Sequence, residues 1–205
     1  MNGFFITLEG IDGSGKTTQC QLLQKHLQAA NIPHICIREP GSTSLGEMLR
    51  TIISDPQAEI HPIAESYLYA TCRAQLTAQV IQPALGQGKI VVCDRFLDSS
   101  IVYQGAARNL GDRTVQEINK HATFGLVPDI TFLIDVPVSV SLNRIDAKKK
   151  DRIEMEETHF HEAVRHGYKK LAKEHKRIVV IDGTQSIDNI HNEILEAIKK
   201  ERSLT

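Results

Sequence analysis

No run of 18 apolar residues occurs in the 205-residue chain, so no segment is expected to span a bilayer as a helix. The first apolar stretch is only a few residues long and leads straight into a glycine-rich loop, which is not the pattern of a signal peptide. Charge of one sign is not in excess. Lys and Arg number 24, Asp and Glu 25, giving a net charge of −1. No general polyanion-binding surface is implied, and no nucleic-acid partner is expected. Any phosphate site must come from local clustering of cations. The four cysteines, Cys20, Cys36, Cys72 and Cys93, form no C-x-x-C pair. Three sit in apolar or helical runs, where a thiol behaves as a small hydrophobe. Reduced thiols and a cytoplasmic protein are therefore expected. Repeats, low-complexity tracts and interdomain linkers are also lacking. A single domain over 1–205 follows, with 41% hydrophobic residues to build its core.

What is present begins at Phe4. The run Phe4-Phe5-Ile6-Thr7-Leu8-Glu9 reads as a buried strand, and Gly10-Ile11-Asp12-Gly13-Ser14-Gly15-Lys16-Thr17-Thr18 follows it. Gly10-x-x-x-x-Gly15-Lys16-Thr17 is the P-loop pattern. Its glycines let successive N–H groups face an anion, and the next helix adds the positive end of its dipole. Lys16 is placed to reach the β- and γ-phosphates of a nucleotide and the Thr17 hydroxyl to ligate Mg²⁺.

Leu22, Leu23, His26, Leu27 and Ala30 then recur at helical spacing, up to Asn31 and Pro33. His34-Ile35-Cys36-Ile37 reads as a second strand. It ends at Arg38-Glu39-Pro40-Gly41-Ser42-Thr43, two charges and a turn at a strand's C-terminal end, the edge where open parallel sheets bind ligands. A short helix is expected next, with Leu45, Met48, Leu49, Ile52 and Ile53 inward and Arg50 on another face. A longer helix is expected over 64–85, on which Tyr69 and Arg73, four apart, share a face. That pair suits stacking and hydrogen bonding to a planar base, or else an aromatic ring packed on an arginine stem.

Lys89 to Arg95 reads as a buried strand that ends in Asp94-Arg95, where P-loop proteins place a carboxylate near the metal. Asp98 to Gly105 reads as polar and small, broken by Tyr103, Gln104 and Gly105. A helix over 114–123 and a strand over 130–135 follow. Residues 144–157 are dense in charge and poor in core residues, which predicts an exposed, movable lid. An amphipathic helix through Phe160, Val164, Tyr168 and Leu171, a strand over 178–181 and a last helix complete the chain. His159, His161 and His166 fit no zinc spacing on one helical face and are expected at the surface.

Alternating strands and helices predict an α/β fold: a P-loop NTPase-type three-layer arrangement, with a parallel sheet and helices on both faces. The guanine-reading Asn-Lys-x-Asp of GTP switches is absent, and no Asp-x-x-Gly follows the strand that would carry the metal carboxylate. Arginines on separate elements (Arg38, Arg50, Arg73, Arg95) and the lid offer more cations than one triphosphate requires. They suit a second, phosphorylated substrate. A phosphate monoester is largely a dianion at pH 7, so as an acceptor it needs positioning and charge neutralisation rather than a base.

The chain resembles the thymidylate kinase family along nearly its whole length. The resemblance rests on the P-loop, on Arg38-Glu39-Pro40-Gly41, Leu49-Arg50 and Tyr69-Ala70-Thr71-Cys72-Arg73, on Asp94-Arg95-Phe96-Leu97-Asp98-Ser99 with Tyr103-Gln104-Gly105, and on Asp151-Arg152-Ile153-Glu154. It implies a nucleoside monophosphate kinase that converts dTMP to dTDP with ATP and Mg²⁺, in a cytoplasmic homodimer. It places Asp12 and Asp94 with Thr17 at Mg²⁺, and Arg95 and Arg50 on the dTMP phosphate, with Arg38 supporting and Glu39 in the same loop. Tyr103 lies under the deoxyribose, Tyr69 and Arg73 at the base, and Gln104 and Ser100 near it. Arg144 lies near the adenine with Thr184 and Gln185. The chain departs from the family at Tyr69, usually Phe, and at Ser100, often Asn or Thr. Its lid carries Lys148, Lys149 and Lys150 where bacterial relatives carry arginines. No residue between Gly10 and Lys16 is basic, so the catalytic cation beside Lys16 and Arg95 is expected from the lid, with Arg152 first and Glu154 orienting it. A kinase for another deoxynucleotide or a nucleoside, and a nucleotide-binding regulator without turnover, are the alternative readings.

Overall fold

The computed structural model describes residues 3–145 and 150–204. Lys148 and Lys149 lie outside the described residues. Five parallel strands, β1 (Phe4–Glu9), β2 (His34–Arg38), β3 (Ile90–Asp94), β4 (Ile130–Asp135) and β5 (Ile178–Asp182), form one sheet in the order β2-β3-β1-β4-β5. All side chains of β1 are buried, because helices cover both faces of the sheet. Alternation along β1 sends Phe4, Ile6 and Leu8 to one face, against Leu23 and Leu27 of α1 (Lys16–Ala29) and Ile190, Ile194 and Ile198 of α9 (Ile187–Leu204). Phe5 goes to the other face, against Leu76, Ile81 and Phe96. Glu9 shares the parity of Phe5, and that face carries the site.

The remaining helices are α2 (Ser44–Ser54), α3 (Pro62–Leu76), α4 (Gln82–Gly86), α5 (Leu97–Ser100), α6 (Asp112–Ala122), α7 (Val138–Arg144) and α8 (Thr158–Glu174). The helix expected over 64–85 is interrupted by wider, π-type turns at Thr77–Ile81. Pro83 has no N–H for the ladder and its ring crowds the carbonyl one turn back. The segment expected to be broken at Tyr103-Gln104-Gly105 is helical instead: α5 runs directly into π-type turns at Ile101–Ala107. Burial of Ile101, Val102 and Tyr103 against α8 and α6 overrides the weak local propensity.

Several sequence expectations are corrected. Met48 and Ile52 of α2 point outward, 61% and 50% exposed, and only Ile53 of the five apolar positions is fully buried. The helix packs on α3 with Ile53 buried and Leu45 and Leu49 half-buried, which leaves Met48 and Ile52 uncovered. α7 was not expected. It starts directly after Pro137, which serves as its N-cap. His161 is buried with its ring edge-on to Phe160; its position on α8 faces the turn before the helix rather than solvent. The charged segment 144–157 is not free of the core either, because Ile153 is buried among the residues around Tyr103, Phe160 and Val164.

Candidate active site

The P-loop leaves β1 at the C-terminal edge of the sheet and closes on the N-terminus of α1. Gly13 has φ 73°, and a Cβ there would lie 2.6 Å from the Ser141 carbonyl oxygen of α7. Only glycine lets the loop press against that helix. The Ser141 hydroxyl donates to the Asp12 carbonyl oxygen at 2.5 Å, fixing the loop from behind. Lys16 is buried and its Nζ donates to the Ile11 carbonyl oxygen at 2.9 Å. Burial lowers its pKa, as does Arg95, against Asp12, Asp94 and Glu9. The Thr17 hydroxyl donates to Asp94 Oδ2 at 2.7 Å across the gap between α1 and β3.

These groups border a cavity of about 980 Å³ lined by Asp12 to Thr18, Asp94 and Arg95. Gly10 and Ile11 stand behind it, buried. Its far end carries Arg144, Gly183 and Gln185. Arg144 donates to the carbonyl oxygens of Gly13 (3.4 Å) and Gly183 (3.3 Å). Thr184 turns to Asp182, its hydroxyl 2.7 Å from Oδ1.

A second cavity, about 90 Å³, lies deeper, beside Tyr69, Arg73, Ser100, Tyr103 and Gln104. Asp12, Glu39, Arg50, Arg95 and Asp151 line both cavities and so mark the junction. Arg95 sits there with φ 69°, its Nη2 2.5 Å from Asp12 Oδ1 and its Nη1 3.2 Å from the Ser99 hydroxyl. The guanidinium lies over the Tyr103 ring, 5.1 Å from its centroid. Tyr103 donates its hydroxyl to Asp12 Oδ2 at 3.2 Å. Burial on its own raises the Asp12 pKa, but the Arg95 and Lys16 charges outweigh it and hold the carboxyl at about 2. Asp12, expected beside the metal, is thus committed to Arg95 and Tyr103. The hard-oxygen pair is Thr17 with Asp94. Arg50 donates to the Pro40 carbonyl oxygen at 2.8 Å.

Arg73 was expected to offer its guanidinium to a base. It is buried, and each donor nitrogen already has a partner: Nε and Nη2 bond Glu39, Nη2 also the Phe96 carbonyl oxygen, and Nη1 Ser100 and Asn119. Asn119 and Ser100 come from α6 and α5, so Arg73 ties three helices to the Glu39 loop. Burial pushes the Glu39 carboxyl up, to about 7, against the pull of Arg73. Arg38 leaves the sheet edge exposed and pairs with Glu47 at 3.0 Å.

Arg152 is not at the P-loop. Its side chain, 11% exposed, pairs with Glu65 of α3 at 2.7 Å and donates from Nε to the Ile53 carbonyl oxygen at 3.0 Å. The turn that carries it is a capping box. The Asp151 carboxylate accepts from the Glu154 amide at 2.9 Å, and the Glu154 carboxylate accepts from the Asp151 amide at 3.0 Å. Glu154 therefore shapes the turn and does not orient Arg152.

The sequence reading assigned no part in the site to Glu9, Ser99, Tyr168 or Glu65. Buried Glu9 accepts from the Phe96 amide (2.8 Å), the Ser99 hydroxyl (2.6 Å) and the Tyr168 hydroxyl (2.7 Å). The last two also touch Arg95. Burial pushes the Glu9 pKa up. A charge closing an apolar strand, on the parity of Phe5, was the available signal. Tyr168 was hidden in the apolar stripe of α8.

A sheet of order β2-β3-β1-β4-β5, a P-loop between β1 and α1, and two cavities meeting at an arginine after β3 define a P-loop phosphotransferase of the nucleoside monophosphate kinase type. The family model described as Thymidylate kinase matches residues 8–194. Thymidylate kinase of Thermoanaerobacter sp. (strain X514) is 46% identical over 201 residues, 98% of this chain and 99% of that protein. The one from Fervidobacterium nodosum is 48% identical over 192 residues, 94% and 96% of the two chains. The crystal structure of thymidylate kinase from Ehrlichia chaffeensis superposes with a TM-score of 0.78 at 32% identity, covering 97% of this chain and 99% of that one. The chain belongs to the thymidylate kinase family.

Proposed function

We propose that the protein transfers the γ-phosphoryl group of ATP to the phosphate of dTMP, giving dTDP and ADP. The observation that carries this reading is the junction of a large P-loop cavity and a smaller, tyrosine-lined one at Arg95, Asp12 and Arg50. A phosphoryl group passing between two nucleotides must cross there. ATP takes the large cavity, its phosphates on the P-loop amides and Lys16 and its adenine toward Arg144 and Gln185. dTMP takes the deeper one, with its sugar on Tyr103 and its base between Tyr69 and Gln104, braced by Arg73 and Ser100. Arg95 and Arg50 hold its phosphate in line.

The acceptor oxygen is already anionic at neutral pH, so no side chain has to remove a proton. Lys16 neutralises charge that grows on the bridging oxygen. Arg95 keeps two anions from repelling each other, and Arg38 steadies the loop through Glu47. Mg²⁺ fits the hydroxyl–carboxylate pair of Thr17 and Asp94, hard oxygens 2.7 Å apart beside the P-loop. Held there, it would supply positive charge to the phosphates of ATP. Arg152 serves the transfer indirectly, through the turn it anchors.

The polypeptide acts as one kinase domain whose turn around 151–156 moves with substrate. We place it in the cytoplasm, consistent with four unpaired cysteines. No described helix is long and apolar enough to cross a membrane. A homodimer would cover Met48 and Ile52 of α2 and Tyr67 of α3, exposed apolar side chains on adjoining helices.

A coupled assay of ADP release across nucleoside monophosphates tests the reading. ADP release that depends on dTMP, above dUMP and dCMP, is expected. Release that is indifferent to every acceptor would overturn it.

A further inference from the structure

Glu65 is fully buried in the first turn of α3 and lines neither cavity. Its two oxygens serve three residues on two other segments. Oε1 accepts from Gln104 Nε2 at 2.8 Å and Arg108 Nε at 3.4 Å. Oε2 lies 2.7 Å from Arg152 Nη2 and 3.4 Å from Arg108 Nη2. Arg108 reaches on to Glu156 at 2.6 Å and lies over the Phe160 ring, 4.7 Å from its centroid. One carboxylate therefore ties both ends of the 151–156 turn, Arg152 directly and Glu156 through Arg108. It also holds Gln104 in the acceptor cavity. The backbone completes the seam, with the Arg152 amide donating to the Ser54 carbonyl oxygen at 3.3 Å.

Between those anchors, Ile153 is driven into the wall of the acceptor cavity. The space left is about 90 Å³, well under the roughly 300 Å³ at which small-molecule sites begin. The turn and Ile153 therefore bound the space open to an acceptor. Removing the anion leaves Arg152 without its carboxylate partner in a largely buried setting, while Arg108 keeps Glu156.

We propose that Glu65 is a positioning residue for the acceptor nucleotide. It pins the Arg152 turn against the acceptor cavity and orients Gln104 beside it, so that this side of the site is set by acceptor binding and not by ATP. This rests on the reading of the deeper cavity as the nucleoside monophosphate site. Glu65 touches no reacting atom.

The test is steady-state kinetics of Glu65→Gln, which keeps one oxygen for hydrogen bonding and loses the charge. KM for dTMP should rise about tenfold, the loss of one charge-assisted hydrogen bond, with KM for ATP within about twofold, a ratio that marks selective loss of acceptor binding. The double variant Glu65→Gln/Arg152→Met should cost less than the sum of the two single changes, because they break the same contact. Hydrogen exchange in the wild-type protein is independent of whether the variant folds. The Arg152 and Ile153 amides should slow on adding dTMP alone and not on adding ADP alone. Equal rises in both KM values, full additivity, or protection by ADP but not dTMP overturns the proposal. Wild-type ADP release that depends on dTMP is the control. If that release is missing, the functional reading fails; if it is present while the variants behave as wild type, the role of Glu65 alone fails.

Discussion

Replacing Asp12 with asparagine removes the carboxylate that Arg95 meets at 2.5 Å and keeps the side chain's size. Burial opposes ionisation of Asp12, yet Arg95, Lys16 and the Tyr103 hydroxyl together hold its pKa at about 2, against an ordinary 3.8. At about 1.36 kcal/mol per tenfold change in acidity, ionised Asp12 adds about 2 kcal/mol to stability at neutral pH. The sign is set by the depressed value. The folded state binds fewer protons than the unfolded one between the two pKa values, so the contribution is complete above pH 3.8 and lost as pH falls to about 2. Urea denaturation of wild type and Asp12→Asn from pH 7 to pH 2 isolates this part, because every other carboxylate is common to both. The wild type should be about 2 kcal/mol more stable at pH 7. The gap should narrow below pH 4 and close near pH 2. A gap that stays constant with pH, or none at pH 7, refutes the pairing as a source of stability.

Lys16→Met should remove turnover while leaving the urea midpoint near wild type, since among the described residues Lys16 donates to one group, the Ile11 carbonyl oxygen; wild-type kcat in that variant would refute the P-loop role. Arg73→Ala strands buried Glu39 and should cost about 3–5 kcal/mol in denaturation as well as raising KM for dTMP; a stable variant altered only in KM would make Arg73 a substrate contact alone. Thr17→Val should raise the Mg²⁺ concentration needed for half-maximal rate, measured by metal titration, because the hydroxyl beside Asp94 is lost. Tyr103→Ala opens the wall on which Arg95 lies and should lower the preference for dTMP over its ribo analogue; unchanged discrimination places the sugar contact elsewhere.

The sheet and its ligand edge were legible because strands buried on both faces write continuous apolar runs, and the P-loop spacing fixes which strand comes first. Asp94-Arg95 was legible for the same reason: two charges closing the run Ile90 to Cys93 have nowhere to go but the edge. Residues 101–107 were not, because their helical conformation comes from packing Val102 and Tyr103 against α8 and not from local preference. Met48 and Ile52 carry a core-like period that periodicity cannot tell from an uncovered face. The lid was misjudged by its charge density. Buried Ile153, and Arg152 paired with a buried glutamate 87 positions earlier in the chain (152 − 65), hold its described part against the core. That pairing is long-range, and no spacing rule reveals it. Arg73 lines the deeper cavity, but its five engaged donors are a tertiary fact that its four-residue spacing from Tyr69 does not contain.

The most direct test of phosphoryl transfer to a nucleoside monophosphate is to incubate the protein with ATP, Mg²⁺ and either dTMP or thymidine, and to separate and quantify every nucleotide formed. With Arg95 and Arg50 at the junction of the two cavities, suited to an acceptor that is already anionic, equal amounts of dTDP and ADP are predicted from dTMP and no dTMP from thymidine. Phosphorylation of thymidine, or ADP formed from the dTMP mixture without dTDP, would contradict it.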